Sequence, residues 1–360
     1  MLIDIQTASP PYKVAQSIAK EELKKRMGEQ PAVSRMIDMA AHYSGIDYRY
    51  VVVPDADPDA GEKFFTDGKS FLRPDTGARM ALYEYWSKQL TKEAVNKVFS
   101  ANDFSGKEIE RLITISCTGF FAPGLDYHLI NEFGIPPSVK RTNIGFMGCA
   151  ASLIGVNSVL EAMNSTNGKN LNTLLVSVEL CSLHLQTEPS RDNILANTVF
   201  ADGCGAALFS KSEKAKLIPA STDSVLFENT ACAMGWKIGN FGFEMMLSSD
   251  IPKMILESAA PKLIEILKAK NLSPEKIKFW ALHPGGRAIL DSLQQGLKLD
   301  EDKMTPSRNV LKNFGNMSSA SILFVLKEII ENSKIKKDDY CCAVAFGPGL
   351  TMEVAIFKGA

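Results

Sequence analysis

Short runs of nearly unbroken apolar residues limit most strongly what this chain can become. Leu112–Cys117 (LITISC), Leu174–Leu180 (LLVSVEL), Gly205–Ser210 (GAALFS), Cys341–Phe346 (CCAVAF) and Met352–Phe357 (MEVAIF) read as strands without a wet face. Such strands suit a sheet covered on both sides. Two long helical stretches stand out between them. One begins near Cys149 and runs through ASLIGVNSVLEAMN; the other begins near Asn316 and runs through MSSASILFVLKEIIEN. Strands alternating with helices predict the α/β class.

The two helices echo one another. Each follows a glycine (Gly148, Gly315), opens with small residues and then becomes apolar. The echo predicts a duplicated architecture with its seam near Lys211–Pro219, giving halves 1–215 and 216–360. A chain of 360 residues that is 45% hydrophobic can bury a large core without disulfides or metals.

Charge and cysteine usage exclude other classes. The net charge is -1 and basic residues are interspersed with acidic ones, as in KEELKKR (Lys20 to Arg26), so a nucleic-acid partner is not expected. Seven cysteines show no CxxC pair, and the four histidines have no metal-ligand spacing with them. That pattern predicts reduced thiols in the cytoplasm and no metal centre. The start, MLIDIQTASPPYK, lacks the basic-then-apolar pattern of a signal peptide, and no apolar run is long enough to span a bilayer.

Three residues carry the chemistry. Cys149 sits in GFMGCAAS at a helix start, where unpaired N–H groups and the helix dipole favour a thiolate. A soft thiolate is a natural acceptor for an acyl group on another sulfur. The bland alternative, a buried structural thiol, is assigned to Cys117, Cys181, Cys204, Cys232, Cys341 and Cys342. His283, in ALHPGG, stands at a strand end before a glycine turn, where sites of α/β proteins are built. Beside Cys149 it would stabilise the thiolate and donate hydrogen bonds. Asn316, in NFGNMSS, moves no proton but can donate to an oxyanion. It could equally be a helix cap. Together they suit decarboxylation of a malonyl thioester, which makes an enolate without a base: one nucleophile holds an acyl group and two donors hold the enolate oxygen.

These segments resemble the chalcone and stilbene synthase family, the type III polyketide synthases. The resemblance lies in IGFMGCAAS, NTVFADGCGAAL, ALHPGGRAIL, NFGNMSSASILFVL and FGPGLTMEV, spread over most of the chain. It implies a thiolase-like fold, a duplicated αβαβα five-layered architecture, and a homodimer. It implies acyl-CoA and malonyl-CoA as substrates, no bound cofactor, and an internal site reached by a narrow tunnel. Cys149 would be acylated while His283 and Asn316 stabilise the enolate. Phe200 matches the aromatic gate between tunnel and cavity, Ser318 a cavity-lining position, and Gly347-Pro348-Gly349 the cavity floor. Arg35 resembles a cation that contacts CoA, although Ala32 and Met39 replace further lysines.

Other departures from the plant pattern bear on substrate. Ala122, in the loop from Cys117 to Gly124, replaces a methionine, as in bacterial members that accept long fatty acyl starters. Cys181 and His184 replace threonines expected to line the cavity, and the stretch from Met234-Gly235-Trp236 to Pro252 resembles the bacterial branch. The expected product is a pyrone or resorcinol. Two alternatives remain open: a ketoacyl synthase III that condenses once on a carrier protein, and a non-catalytic lipid-binding protein of the same fold.

Overall fold

The computed structural model describes residues 1–28, 30–57, 59–165 and 171–360. Its strands are β1 (Leu2–Ala8), β2 (Tyr12–Ala15), β3 (Tyr48–Val51), β4 (Arg111–Ser116), β5 (Lys140–Gly145), β6 (Thr173–Leu180), β7 (Asp202–Phe209), β8 (Leu217–Leu226), β9 (Met234–Gly239), β10 (Gly242–Leu247), β11 (Ile277–Leu282), β12 (Tyr340–Gly347) and β13 (Thr351–Gly359). Each apolar run named above falls on a strand, with ends shifted by a few residues.

Both faces of these strands are dry, which explains why the apolar residues do not alternate with polar ones. Along β6 and β7, Leu175 and Ala207 face a central cluster, while Leu174, Val176, Ala206 and Leu208 face an outer one. Along β12, Cys341, Ala343 and Ala345 face the centre, and Cys342, Val344 and Phe346 face the opposite outer cluster. The period is two, as a pleated strand requires, but both phases are hydrophobic.

Those clusters define five layers. The central one is built on the helices Ala151–Ser165 and Ser321–Asn332, through Leu153, Val156, Leu323 and Val325. Outside one sheet lies the helix Thr76–Asn102, packed through Leu90, Val95 and Val98. Outside the other lie Ala260–Ala269 and Arg287–Leu297, packed through Leu263, Leu267, Leu290 and Leu293.

The strand order is β11-β12-β13-β8-β1-β7-β6-β4-β5. The pattern repeats about its middle. β4 runs parallel to β6, then β6–β7 and β7–β1 are antiparallel. β11 runs parallel to β12, then β12–β13 and β13–β8 are antiparallel. The two sets meet where β1 pairs with β8, at Leu2↔Leu217. Two two-stranded sheets lie outside the main sheet, β2–β3 and the hairpin β9–β10. Among the described residues, no helix is long and apolar enough to cross a membrane.

Candidate active site

Cys149 reaches its place through a tight reversal. β5 ends at Gly145, Phe146 and Gly148 both take positive φ (58° and 60°), and a short turn over Gly148–Ala150 leads into the helix Ala151–Ser165. Glycine is required at 148, because a Cβ there would lie 2.5 Å from Cδ of Pro348.

Asn316 is placed by the matching element of the other half. Gly315, at φ 72°, leaves no room for a side chain beside Arg49, and Asn316 then pairs with the segment around Phe200. Its N–H donates to the Val199 carbonyl at 2.9 Å, and its own carbonyl accepts from Ala201 N–H at 2.8 Å. The capping role that asparagine suggests is also present: Oδ1 accepts from Ser318 N–H at 2.9 Å. Nδ2 donates to the Gly285 carbonyl at 3.2 Å, which uses one of its two hydrogens.

His283 follows β11, its N–H held by the Val344 carbonyl at 2.8 Å. The ring is buried and neither nitrogen has a protein partner. Buried polar atoms are normally satisfied, so this one has donor and acceptor capacity in reserve.

These three side chains line one cavity of about 70 Å³, together with Cys117, Cys181, Phe200, Ser318 and Pro348. Cys149 Sγ lies 3.7 Å from Ser318 Oγ and 4.0 Å from Asn316 Oδ1. Burial pushes the thiol up to about 12, opposed by the Ser318 and Asn316 contacts. Burial likewise holds His283 down to about 3. The depressed thiol anticipated from the helix start is therefore not what this setting gives a lone sulfur, because desolvation outweighs the helix terminus. Thiol and imidazole are each neutral at rest.

Several positions differ from expectation. Ala122 is exposed, precedes a cis proline and lines neither this cavity nor its neighbour within the single chain. The loop carries it outward. Gly347 and Gly349 flank the cavity without lining it; Pro348 alone of that trio does. Arg35 is exposed on the helix Pro31–Tyr43 and lines no cavity. His184 lines the neighbouring cavity instead of the catalytic one. Its Nδ1 accepts from Phe243 N–H at 2.9 Å, so Nε2 carries the hydrogen and donates to the Thr118 carbonyl at 2.7 Å. With both nitrogens used and its pKa taken down to about 3 by burial, His184 is a neutral structural bolt.

The neighbouring cavity, about 320 Å³, was not visible in the sequence. Cys181, Phe200, Trp236 and Met245 line both spaces and form the wall between them. Trp236 is pinned there by its indole N–H, which donates to the Cys117 carbonyl at 2.9 Å. The signal for its role was a large aromatic with a polar handle in a hairpin otherwise unaccounted for.

A doubled αβαβα core with a cysteine at the start of one central helix and an asparagine before the other defines a thiolase-like condensing enzyme. Comparison with known proteins narrows that class. The family "Chalcone and stilbene synthases, C-terminal domain" matches residues 218–360, and the "FAE1/Type III polyketide synthase-like protein" family matches residues 68–220. The "Alpha-pyrone synthesis polyketide synthase-like Pks18" of Mycobacterium tuberculosis is 30% identical over 286 residues, 78% of this chain and 72% of that protein. The crystal structure of PKS-I from the brown alga Ectocarpus siliculosus superposes with a TM-score of 0.90 at 28% identity, covering 100% of this chain and 98% of that one. The 1,3,6,8-tetrahydroxynaphthalene synthase of Streptomyces coelicolor gives 0.88 at 25% identity, covering 99% of each. The chain belongs to the chalcone and stilbene synthase family, the type III polyketide synthases, in its bacterial branch. It is an acyltransferase that forms carbon–carbon bonds.

Proposed function

We propose that the chain condenses malonyl-CoA onto an acyl-CoA starter using Cys149, His283 and Asn316. The observation that carries this reading is their shared cavity, with both imidazole nitrogens and one amide hydrogen uncommitted. Cys149 Sγ gives its proton to His283 and attacks the starter thioester; the acyl–sulfur bond to CoA breaks and CoA leaves with the proton. Malonyl-CoA then loses carbon dioxide. The electron pair of the broken carbon–carbon bond becomes an enolate, whose oxygen is held by hydrogen bonds from His283 and Asn316. The enolate carbon attacks the acyl carbonyl on Cys149, a carbon–carbon bond forms and the bond to Sγ breaks. Repetition and cyclisation give a pyrone or resorcinol-type product.

Phe200 serves as the gate, since it stands on the wall between the two cavities. A long fatty acyl starter is supported by the larger cavity, whose walls include Val14, Leu23, Val51, Val53 and Phe65. Each methylene placed there contributes roughly 0.8 kcal/mol. The relative named for α-pyrone synthesis supports the pyrone outcome. Arg35, exposed on its helix, remains the proposed CoA contact. A homodimer is supported by exposed Phe120 and Met147 beside Phe146. Sedimentation at assay concentration tests that assembly.

The chemistry is tested by incubation with malonyl-CoA and a panel of aryl and fatty acyl-CoAs, reading product masses. Wild type should yield multiply extended products, and Cys149→Ala should yield none. Extension by Cys149→Ala, or a single β-ketoacyl chain made only on carrier protein, would overturn the proposal.

A further inference from the structure

The larger cavity contains a cation without a carboxylate partner. Arg49, on β3, lines it and is 8% exposed. Its Nη1 donates to the main-chain carbonyls of Asn197 and Phe200, each at 2.7 Å, while Nε has no partner. Asp202, whose charge acts on Arg49, is engaged elsewhere. It accepts from Val52 N–H at 2.7 Å, and from Ser182 N–H and Oγ at 2.7 and 2.5 Å.

The remaining charges around the cavity are accounted for. Arg26 pairs with Asp55 at 3.3 Å, Glu22 with Lys25 at 2.5 Å, and Lys63 donates to the Asp57 carbonyl. The lining charges are Arg26, Arg49 and Lys63 against Glu22 and Asp55, a net of one positive charge. Burial lowers the Arg49 pKa only to about 10, so it stays a cation at neutral pH. Asp202 acts on Arg49 only at a distance and makes no ion pair with it, so an anion delivered into the cavity would supply the direct charged contact that Arg49 lacks. Guanidinium geometry favours a carboxylate, and the walls favour an alkyl chain.

We propose that this cavity binds a carboxylate carried on an apolar chain, with Arg49 as its anchor. Two sources share that chemistry. One is a free fatty acid. The other is the distal end of a dicarboxylic acyl group tethered at Cys149 and passing Phe200 and Trp236; this source rests on the polyketide reading above.

Calorimetry on the full chain compares decanoate with decanol, which differ only at the head. A hydrogen bond to a charged group should make decanoate bind roughly tenfold or more tightly. Arg49→Lys should keep that preference and Arg49→Met should lose it. Because Arg49 also holds two carbonyls, the methionine variant could fail to fold, so the wild-type comparison decides alone. Equal affinities, or no binding of either, overturn the site. The source is read from kcat/KM for decanoyl-CoA against the CoA monothioester of decanedioic acid. A preference for the latter supports the tethered end, whereas decanoate binding without that preference supports a free acid. A wild-type enzyme that condenses but binds decanoate no more tightly than decanol sinks the site and leaves the proposed function standing. Absence of any condensation sinks the function and leaves the calorimetry intact.

Discussion

Gly148 shows how narrowly one residue constrains the nucleophile. Positive φ and the 2.5 Å approach of Pro348 both forbid a side chain. Gly148→Ala should cost about 1–3 kcal/mol by overpacking and also slow acylation of Cys149; thermal melts and single-turnover labelling measure the two effects. In the proposed mechanism His283 takes the proton from that sulfur. Burial, aided by the Glu179 charge, pushes the thiol up to about 12, so without an imidazole to take its proton it should be inert near neutral pH. His283→Ala should therefore cut iodoacetamide labelling of Cys149 at least about tenfold at neutral pH, with reactivity returning only as pH rises. Equal labelling rates would show that some other group receives the proton. Cys149 and Asn316 were legible as candidates because each follows a glycine at an element's start, and His283 because it ends a strand just before a glycine turn. The outward direction of the Ala122 loop was not legible, because it depends on tertiary contacts that no neighbouring residue records.

The β9–β10 hairpin supplies the wall between the cavities through Trp236 and Met245. His184 stacks on Phe243 at 4.1 Å and meets the Trp236 edge at 5.5 Å, locking the hairpin to the end of β4. Trp236→Phe should lose the bond to the Cys117 carbonyl at about 1 kcal/mol. Trp236→Ala should join the two spaces and shift the accepted starters toward longer acyl chains, as product masses would show; an unchanged starter profile would refute the wall. The sheet strands were readable because two dry faces leave an unmistakable apolar run. This hairpin was not, since its residues are partly exposed and its partners lie far off in the chain.

The two halves are stitched by a buried polar cluster. Ser319, from one half, bonds the Ser177 hydroxyl at 2.9 Å and the Glu179 carboxyl, and its carbonyl accepts from Ser152 Oγ at 2.6 Å. We propose 1–215 and 216–360 as the units so joined. Burial raises the Glu179 pKa above the ordinary glutamate value. On unfolding, the carboxyl releases its proton more readily, so stability falls as pH rises above that ordinary value until the folded group itself ionises. Glutamine keeps the shape without that dependence. Glu179→Gln should gain on wild type as pH rises from mildly acidic to neutral, measured by paired melts; a constant gap would contradict the assignment. The contrast in cavity size, about 70 against 320 Å³, carries a consequence for timing. An intermediate of any length must be kept in one room while its reactive end stays in another. Hydrolysis and untimely ring closure are then held back by separation, and the order of events is set by architecture instead of by competing rates.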